Sequence, residues 1–190
     1  FFKQKTAYEI CACLVGSADK AVELMNSRAK MLGMNGTVYT DCTGMGEGNV
    51  TTAKDTALLC SELAKYKNLT PYLTCWLDTV RDGKAELVNL NRLVRTYKGV
   101  TGMKAWGSEK AGSCIAATAE KGDMSVCVVL NGCDSQEDMN AEAKKLLNLA
   151  FDTYEIYTPE LPEDMVKETV VCGLSLIHIS EPTRHAQISY

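Results

Sequence analysis

Apolar residues at helical spacing mark the first ordered element of the chain. From Ser17 they form one stripe that ends at Gly33, which predicts an amphipathic helix capped by Ser17; the stripe consists of Val22, Met25, Ala29 and Leu32. Thr52 and Asp55 have the spacing of a capping box and open a second predicted helix. Between the two helices, a β-prone piece at residues 37–40 leads into DCTGMGEGN, a string rich in turn-forming residues.

Helical patterns return twice further along the chain. A short third helix is predicted near residues 69–73, and a long helix follows Asp134. Asp134 and Glu137 are the predicted capping pair of the long helix. Its apolar stripe comprises Met139, Ala143, Leu146, Leu147 and Ala150, and this stripe should face the core.

Alternating apolar runs predict two hairpins and a strand. The first hairpin covers residues 75–89, because an Asp-Gly pair between two alternating runs is a strong hairpin signal. Residues 100–106 are predicted to form a strand, and residues 113–132 a second antiparallel hairpin. After the long helix, two prolines in TPELPED break the pattern, and VKETVVCG should start a new strand. The order of elements indicates an α/β chain of the α+β type, with helices against an antiparallel sheet.

Composition narrows the classes of function. The 190 residues are 46% hydrophobic and 23% charged, which is typical of a globular protein that buries one sizeable core. The net charge of −4 provides no basic field, and no DNA-binding, RNA-binding or zinc-finger pattern occurs, so we expect no nucleic-acid partner. No apolar run approaches the roughly 20 residues that a spanning helix needs, so we expect no membrane segment here.

Cysteine and histidine usage limits the chemistry. The nine cysteines include no C-x-x-C pair, and several lie within apolar runs, which favours small buried hydrophobes over a disulfide framework or a zinc site. The two histidines are His178 and His185, so residues 18–172 cannot build a histidine-dependent triad or metal site. We expect no metal site in this body. Nucleophilic catalysis in this body would need a serine activated by lysine.

The two ends differ from the body of the chain. Residues 1–17 include FFKQKTAYEI and residues 174–190 are LSLIHISEPTRHAQISY, and both strings resemble translated sequencing-adapter DNA. We therefore expect both ends to be artefacts; the alternative is a natural tail with a short amphipathic segment. Residues 1–13 also lack the layout of a signal peptide. Between the ends, residues 18–158 are predicted to form a partial domain, and residues 159–173 a linker and the start of a truncated C-terminal β domain.

Several phrases of the body carry a family resemblance. They are LMNSRAKMLGM, DCTGM where the family usually has N-P-T-G-L, TTAKDTALL, LDTVRDGKAELVNLNRLVRTYKGVTGMK, AGSCIAATA and EAKKLLNLAFDTYEIYTPELPE. These phrases resemble serine-type D-alanyl-D-alanine carboxypeptidases, the low-molecular-weight penicillin-binding proteins of peptidase family S11. The resemblance implies a partial penicillin-binding-protein or β-lactamase-like transpeptidase fold that lacks its N-terminal part. It also implies an exported, extracytoplasmic enzyme of the cell envelope that trims the terminal D-alanine from peptidoglycan stem peptides and, when intact, binds β-lactams.

The resemblance implies an acyl-serine intermediate, with no metal and no organic cofactor. The serine of its S-x-x-K motif attacks the carbonyl between two D-alanines, the lysine accepts the proton, and the serine of S-x-N assists. Both motifs should precede residue 18, so we expect no catalytic residue in this chain and no activity from it as supplied. Ser17 and Lys20 formally fit S-x-x-K but lie outside the family register, and helix capping is the commoner role of such a serine.

The third family motif, K-T-G, maps to a changed sequence. Alignment on G-x-K and on the downstream A-G pair puts Lys104 at the lysine, Ala105 at the threonine and Trp106 at the glycine. The resemblance implies that Lys104 holds the substrate's terminal carboxylate and that Gly107 offers a backbone oxyanion donor, which makes residues 104–107 the expected substrate-binding set. The alanine removes a hydroxyl, and the indole should crowd the groove or form a wall that stacks on a ligand. Without the resemblance, Lys104 would be an ordinary solvated lysine.

Two other functions stay open from the sequence. The first is a non-catalytic peptidoglycan-binding pseudoenzyme, in which the sequence K-A-W at residues 104–106 reflects a loss of catalysis. A class A β-lactamase shares the fold, but we find no convincing loop for its deacylating glutamate, since E-L-V-N at residues 86–89 lies in a predicted hairpin strand. Asn91 and Arg92 belong to a loop that the alignment places near the site, where a fold-supporting role is equally open.

Overall fold

A computed structural model describes residues 2–44 and 46–158. The chain divides into two compact units, Phe1–Glu155 and Ile156–Tyr190, and the elements below belong to the first. The helices are α1 (Phe2–Val15), α2 (Ala18–Met31), α3 (Ala53–Leu63), α4 (Thr70–Leu73), α5 (Leu93–Thr96) and α6 (Gln136–Thr153), with a 3-10 turn at Lys67–Leu69. The strands are β1 (Leu77–Val80), β2 (Ala85–Val88), β3 (Val100–Ser108), β4 (Gly112–Lys121) and β5 (Met124–Cys133).

The strands form two antiparallel sheets. Strands β1 and β2 make the first predicted hairpin, whose turn residues Arg81, Asp82 and Gly83 all have positive φ angles, the conformation that an Asp-Gly turn supplies. Strands β3, β4 and β5 form a three-stranded sheet with β4 in the centre. Both predicted hairpins and the strand between them are therefore confirmed.

Helices cover the two faces of the three-stranded sheet. Alternate residues of β4 point to opposite faces, so Ile115, Ala117 and Ala119 face α6 while Ala116 faces α3. The main core on the α6 side consists of Leu93, Ala105, Ile115, Ala117, Ala119, Val128, Met139, Ala143 and Leu147. The α3 cluster on the other side consists of Cys60, Met103 and Ala116, with Leu63, Ala64, Leu73, Trp106, Cys127 and Val129 packed around them. Burial on both faces explains why the sequence of β4 is almost continuously apolar.

The helix caps agree with the sequence in two of three cases. The hydroxyl of Ser17 accepts a hydrogen bond from the backbone N–H of Lys20 at 3.1 Å, and the hydroxyl of Thr52 accepts one from that of Asp55 at 3.1 Å, as predicted. The cap of α6 is Ser135, whose hydroxyl accepts from the backbone N–H of Asp138 at 3.0 Å. The predicted pair of Asp134 and Glu137 is therefore wrong by one position, because the next residues along the chain have the same capping spacing.

Other sequence predictions fare differently. Residues 37–40 form no strand and contribute only an isolated bridge between Val38 and Val50. The buried stripe of α6 is narrower than predicted, because Leu146 is 37% exposed while Met139, Ala143 and Leu147 are buried. The predicted linker, the new strand, the C-terminal adapter-like string and both histidines lie outside the described residues.

Candidate functional site

Strand β3 presents Lys104 on an exposed face. The strand lies at one side of the three-stranded sheet and pairs Lys104 with Ala116 and Trp106 with Cys114. The Lys104 side chain is exposed, and within residues 7–44 and 46–158 its ammonium group forms no hydrogen bond or ion pair. The cation is therefore available to an external anion.

The backbone just before Lys104 is unusual. The register of β3 shifts between Val100 and Gly102, and both Gly102 (φ 119°) and Met103 (φ 81°) have positive φ angles. Such a conformation costs a non-glycine residue roughly 1–3 kcal/mol. Met103 is only 6% exposed and packs in the α3 cluster, which offsets that cost. The irregularity changes the direction of the chain immediately before Lys104, as β-bulges beside functional sites commonly do.

Two neighbours hold this irregular backbone in place. A Cβ atom on Gly102 would lie 2.5 Å from the Cβ of Leu73 and 2.8 Å from its carbonyl oxygen, so α4 touches the strand here. Asn91 is completely buried, donates its amide N–H to the carbonyl of Gly102 at 3.2 Å, and accepts from the backbone N–H of Leu93 at 3.1 Å. Asn91 is therefore a positioning residue for the strand that carries Lys104.

Arg92 serves a different contact from Asn91. Its guanidinium forms an ion pair with Glu137 of α6 at 3.0 Å, and both side chains are largely exposed. A surface ion pair of this kind contributes roughly 0–1 kcal/mol. Of the two loop residues that the alignment singled out, the structure therefore links Asn91 to the β3 strand and Arg92 to α6.

The four residues of the expected substrate-binding set have different surroundings. Lys104 and Trp106 lie two positions apart in a strand and share a face, where Trp106 is half-buried against the α3 cluster. Ala105 belongs to the main core and is 4% exposed, so its side chain offers nothing to a ligand. Gly107 is exposed, and a Cβ there would lie 3.1 Å from the carbonyl oxygen of Gly112 on β4. Lys104, the half-buried Trp106 and the exposed Gly107 therefore lie within four consecutive positions of β3.

Asp41 organises the loop that DCTGMGEGN forms, a role that turn-forming composition did not reveal. Its carboxylate accepts from the hydroxyl and the N–H of Thr43, at 2.5 and 2.6 Å, and from the N–H groups of Gly44 and Gly46, each at 2.8 Å. The Thr43 hydroxyl leads the hydrogen bonds that hold the pKa of Asp41 well below its usual range. An ion pair between Glu47 and Lys110 connects this loop to the β3–β4 turn.

Asp55 also does more than its capping position indicates. Its side chain is 4% exposed and accepts from the hydroxyl of Thr37 at 2.7 Å and from the N–H of Gly36 at 2.8 Å. These hydrogen bonds, that of Thr37 above all, lower the pKa of Asp55. The pKa of Tyr39 is raised by burial and by the charge of Asp55. Asp55 therefore ties the turn after α2 to the start of α3.

The described residues contain no paired serine and lysine side chains. Ser17 is a helix cap, as expected, and a second S-x-x-K string at Ser27 and Lys30, which the sequence analysis missed, is exposed on α2. Across residues 7–44 and 46–158, no side-chain hydrogen bond joins a serine to a lysine. In the same part of the chain, no three His, Cys, Asp or Glu side chains are grouped so that they could hold a metal ion. None of the described helices is long and apolar enough to cross a membrane.

Comparison with known proteins decides the family. The sequence profile of D-alanyl-D-alanine carboxypeptidases, peptidase family S11, matches residues 5–134. The chain belongs to this family. It is 37% identical over 146 residues to the D-alanyl-D-alanine carboxypeptidase DacF of Bacillus subtilis, and 31% identical over 152 residues to DacC of Escherichia coli. The alignments cover 75% and 79% of this chain but only 38% of each relative, so the chain spans less than two fifths of their length.

Solved structures of penicillin-binding proteins share the fold. Penicillin-binding protein D2 of Listeria monocytogenes, in its cefotaxime-bound form, superposes with a TM-score of 0.70 at 27% identity, over 78% of this chain and 61% of that one. Penicillin-binding protein 5 of Haemophilus influenzae superposes with a TM-score of 0.73 at 22% identity, over 78% and 44%. The predicted family and the predicted penicillin-binding-protein fold, with helices against an antiparallel sheet, are confirmed.

Proposed function

We propose that this chain is part of a D-alanyl-D-alanine carboxypeptidase of the cell envelope, acting outside the cytoplasm, and that Lys104 binds the terminal carboxylate of a peptidoglycan stem peptide. The reaction is hydrolysis of the bond between two D-alanines, which releases one of them. The observation that carries the proposal is the ammonium group of Lys104, which is exposed and has no partner among the described residues, at the position that the sequence alignment gives to the lysine of K-T-G. An ammonium and a carboxylate form a charge-assisted hydrogen bond, which is roughly twice as strong as a neutral one.

The strand around Lys104 differs from the family pattern in two ways. Because the Ala105 side chain lies in the main core, the strand supplies no hydroxyl to a carboxylate. The Trp106 side chain is half-buried against the α3 cluster, two positions along the strand from Lys104. We infer that recognition here depends on the lysine charge, on backbone groups such as the N–H of Gly107, and on an apolar wall from the indole. β-Lactams carry a carboxylate too, and the cefotaxime-bound and ampicillin-bound structures of the Listeria relative support such ligands.

The acyl-serine step is proposed for the whole protein. Across residues 7–44 and 46–158, no serine side chain is hydrogen-bonded to a lysine ammonium group, so we assign no nucleophile there and expect no turnover from the chain as supplied. The proposed function needs no metal and no organic cofactor.

A non-catalytic peptidoglycan-binding role is the second candidate. The observation that favours it is the pair of replacements at Ala105 and Trp106, which remove a hydroxyl from the strand and place an indole where the family has glycine. In this role Lys104 still binds the carboxylate, but the intact protein releases no D-alanine. The β-lactamase alternative gains no support, because Glu86 lies in β2 opposite Thr79, in the hairpin where the sequence placed it.

The test is a binding titration of the full chain with a stem peptide ending in D-Ala-D-Ala, by calorimetry. The free-acid peptide should bind and its C-terminal amide should bind more weakly. Lys104→Met should weaken binding by roughly tenfold or more, as expected for loss of a charged hydrogen bond. Lys98→Met makes the same charge change just before β3 and should leave the affinity unchanged.

Two further results decide between the candidates. Equal affinity of wild type and Lys104→Met, or of acid and amide peptides, would contradict both proposed functions. Release of D-alanine by the complete protein, measured with a D-amino-acid oxidase assay, would support the carboxypeptidase. Binding by the complete protein without release would support the binding module.

A further inference from the structure

Two Asn-Gly pairs occur in the chain, Asn35–Gly36 and Asn131–Gly132. An asparagine that is followed by glycine is prone to spontaneous deamidation, because glycine has no Cβ to hinder attack by its backbone nitrogen on the asparagine side chain. Both asparagines are exposed, and within residues 7–44 and 46–158 neither carboxamide forms a hydrogen bond. The asparagine side chains themselves therefore do not distinguish the two pairs.

The surroundings of Gly36 hold its backbone in place. Its N–H donates to Oδ2 of Asp55 at 2.8 Å. The preceding N–H, that of Asn35, donates to the carbonyl of Gly33 at 2.9 Å. A Cβ on Gly36 would lie only 2.7 Å from Cγ2 of Thr52. The nitrogen that would have to attack is therefore bonded to a carboxylate in a closely packed turn.

Gly132 has a more open environment. The pairing of β4 with β5 shifts between Ser113 and Ile115, so Asn131 and Gly132 together lie opposite one residue of β4. Such a bulge locally disrupts the ladder of hydrogen bonds. Gly132 is exposed, and a Cβ there would come no closer than 3.9 Å to the carbonyl oxygen of Ala111. Across residues 7–44 and 46–158, no side chain accepts a hydrogen bond from its N–H.

We propose that Asn131 is a site of spontaneous deamidation in the folded chain, and that Asp55 protects Asn35 from the same reaction. The inference is independent of the proposed function, because it rests on the surroundings of the two Asn-Gly pairs and needs no ligand. Water is the only co-reactant.

The reaction has two steps. The glycine nitrogen loses its proton and attacks Cγ of the asparagine, which forms a cyclic imide, and the proton leaves with the side-chain nitrogen as ammonia. Water then opens the ring at either carbonyl, which gives aspartate or isoaspartate. The net change replaces an NH₂ group by an OH group that ionises, so each event adds one negative charge to a chain whose net charge is −4.

Asp55 opposes the first step at Gly36. The attacking nitrogen must give up its hydrogen, and an ionised carboxylate that accepts from this N–H holds the hydrogen and disfavours a second negative charge beside it. Folding lowers the pKa of Asp55, so the carboxylate is ionised at neutral pH. Because a hydrogen bond to a charged group must be broken first, Asn35 should deamidate at least about tenfold more slowly than Asn131 in the folded chain.

The experiment is incubation of the full folded chain in oxygen-18 water, followed by digestion in ordinary water and tandem mass spectrometry. The heavy isotope marks only the deamidation that occurs during the incubation, so modification during digestion is not counted. Trypsin places the two sites in separate peptides, residues 31–54 and residues 122–144. The labelled product is expected at Asn131 in the folded chain. In guanidinium chloride, where the chain is unfolded, Asn35 and Asn131 should react at comparable rates.

Two variants test the protection. Asp55→Ala removes the acceptor of the Gly36 N–H, and it should raise the rate at Asn35 by about tenfold while the rate at Asn131 stays unchanged. Asn91→Ala is the control for lost stability, because it removes buried hydrogen bonds elsewhere and keeps the contact between Asp55 and Gly36. Both variants are incubated under conditions where circular dichroism shows that they are folded.

Specific results would overturn the proposal. If Asn131 reacts in the unfolded chain but stays unmodified in the folded one, it is not a site of the folded protein. If Asn35 and Asn131 react equally fast in the folded chain, or Asp55→Ala leaves the rate at Asn35 unchanged, Asp55 does not protect. If Asn91→Ala raises the rate at Asn35 as much as Asp55→Ala does, lost stability explains the effect and the hydrogen bond does not.

Discussion

Asp55 and Lys104 are charged residues of neighbouring regions with opposite local environments. Asp55, at the start of α3, is buried and accepts hydrogen bonds from Thr37 and Gly36. Lys104, on β3, is exposed and has no partner in the described residues. A charged group that is hydrogen-bonded within the protein stabilises the fold. A charged group without an internal partner, on a fixed strand, can bind a ligand. Both residues lie in the segment that matches the family, so membership alone would not separate their roles.

The largest expected effect tests how firmly the Lys104 strand is fixed. Gly102→Ala combines a positive φ angle with a Cβ placed against the backbone of Leu73, which cannot move aside as a flexible side chain could. We expect a loss of at least about 3 kcal/mol in the free energy of unfolding. Gly83→Ala is the matched control, since its φ angle is also positive but its Cβ would meet open space, and it should cost only about 1 kcal/mol. Urea unfolding measures both, and equal losses would show that contact with α4 does not hold the strand.

A smaller effect is expected at Asn91. Asn91→Ala leaves the Gly102 carbonyl and the Leu93 N–H without their buried partner, which should cost about 2 kcal/mol. Asn148→Ala removes an exposed hydrogen bond from Tyr97 and should cost less than about 0.5 kcal/mol. If Asn91 positions Lys104, stem-peptide affinity should fall in Asn91→Ala under conditions where the variant stays folded. Unchanged affinity would limit Asn91 to a structural role.

Asp55 should make the free energy of unfolding depend on pH. Folding lowers the pKa of Asp55, so the unfolded chain binds a proton more readily, and this contribution to stability is complete above about pH 4 and is lost as the pH falls further. Asp55→Asn should therefore lower the free energy of unfolding at pH 7 and flatten its decline below pH 4. Asp123→Asn, in the β4–β5 turn, should leave stability at pH 7 unchanged. If the free energy of unfolding of Asp55→Asn fell below pH 4 as steeply as that of the wild type, the assigned role of Asp55 would be wrong.

The smallest effect on stability is expected at Lys104 itself. Lys104→Met removes a solvated charge with no internal partner, so the free energy of unfolding should change by less than about 0.5 kcal/mol. Thermal unfolding at two salt concentrations measures this. A loss above about 1 kcal/mol would mean that Lys104 has an internal role and would remove the contrast with Asp55.

The sequence predicted features that depend on near neighbours. The Asp82-Gly83 turn, the Thr52 cap and the apolar run of β4 each need only a few consecutive residues, and the structure has all three. The cap of α6 was misplaced by one residue because two overlapping capping patterns compete there, and local spacing does not rank them.

Features that depend on distant contacts were missed. Asp55 acquires partners from the turn after α2, and Trp106 packs against residues of α3. Cys60 of α3 and Cys127 of β5 likewise pack in one cluster, although the first hairpin, β3 and β4 separate them along the chain. Periodicity carries no information about which elements will face each other. The family alignment located the K-A-W sequence of residues 104–106 in its strand, but the residues that surround it could be identified only from the fold.

The side of β3 that is not paired with β4 has a consequence for the behaviour of the chain in solution. In the described part of the chain β3 pairs only with β4, so its other side presents main-chain donors and acceptors near Lys104. An extended peptide can add to such a side as one more strand, and so can β3 of a second molecule. Under the proposed function, a stem peptide and a second molecule would compete for the same main-chain groups, so a saturating stem peptide should keep concentrated protein monomeric.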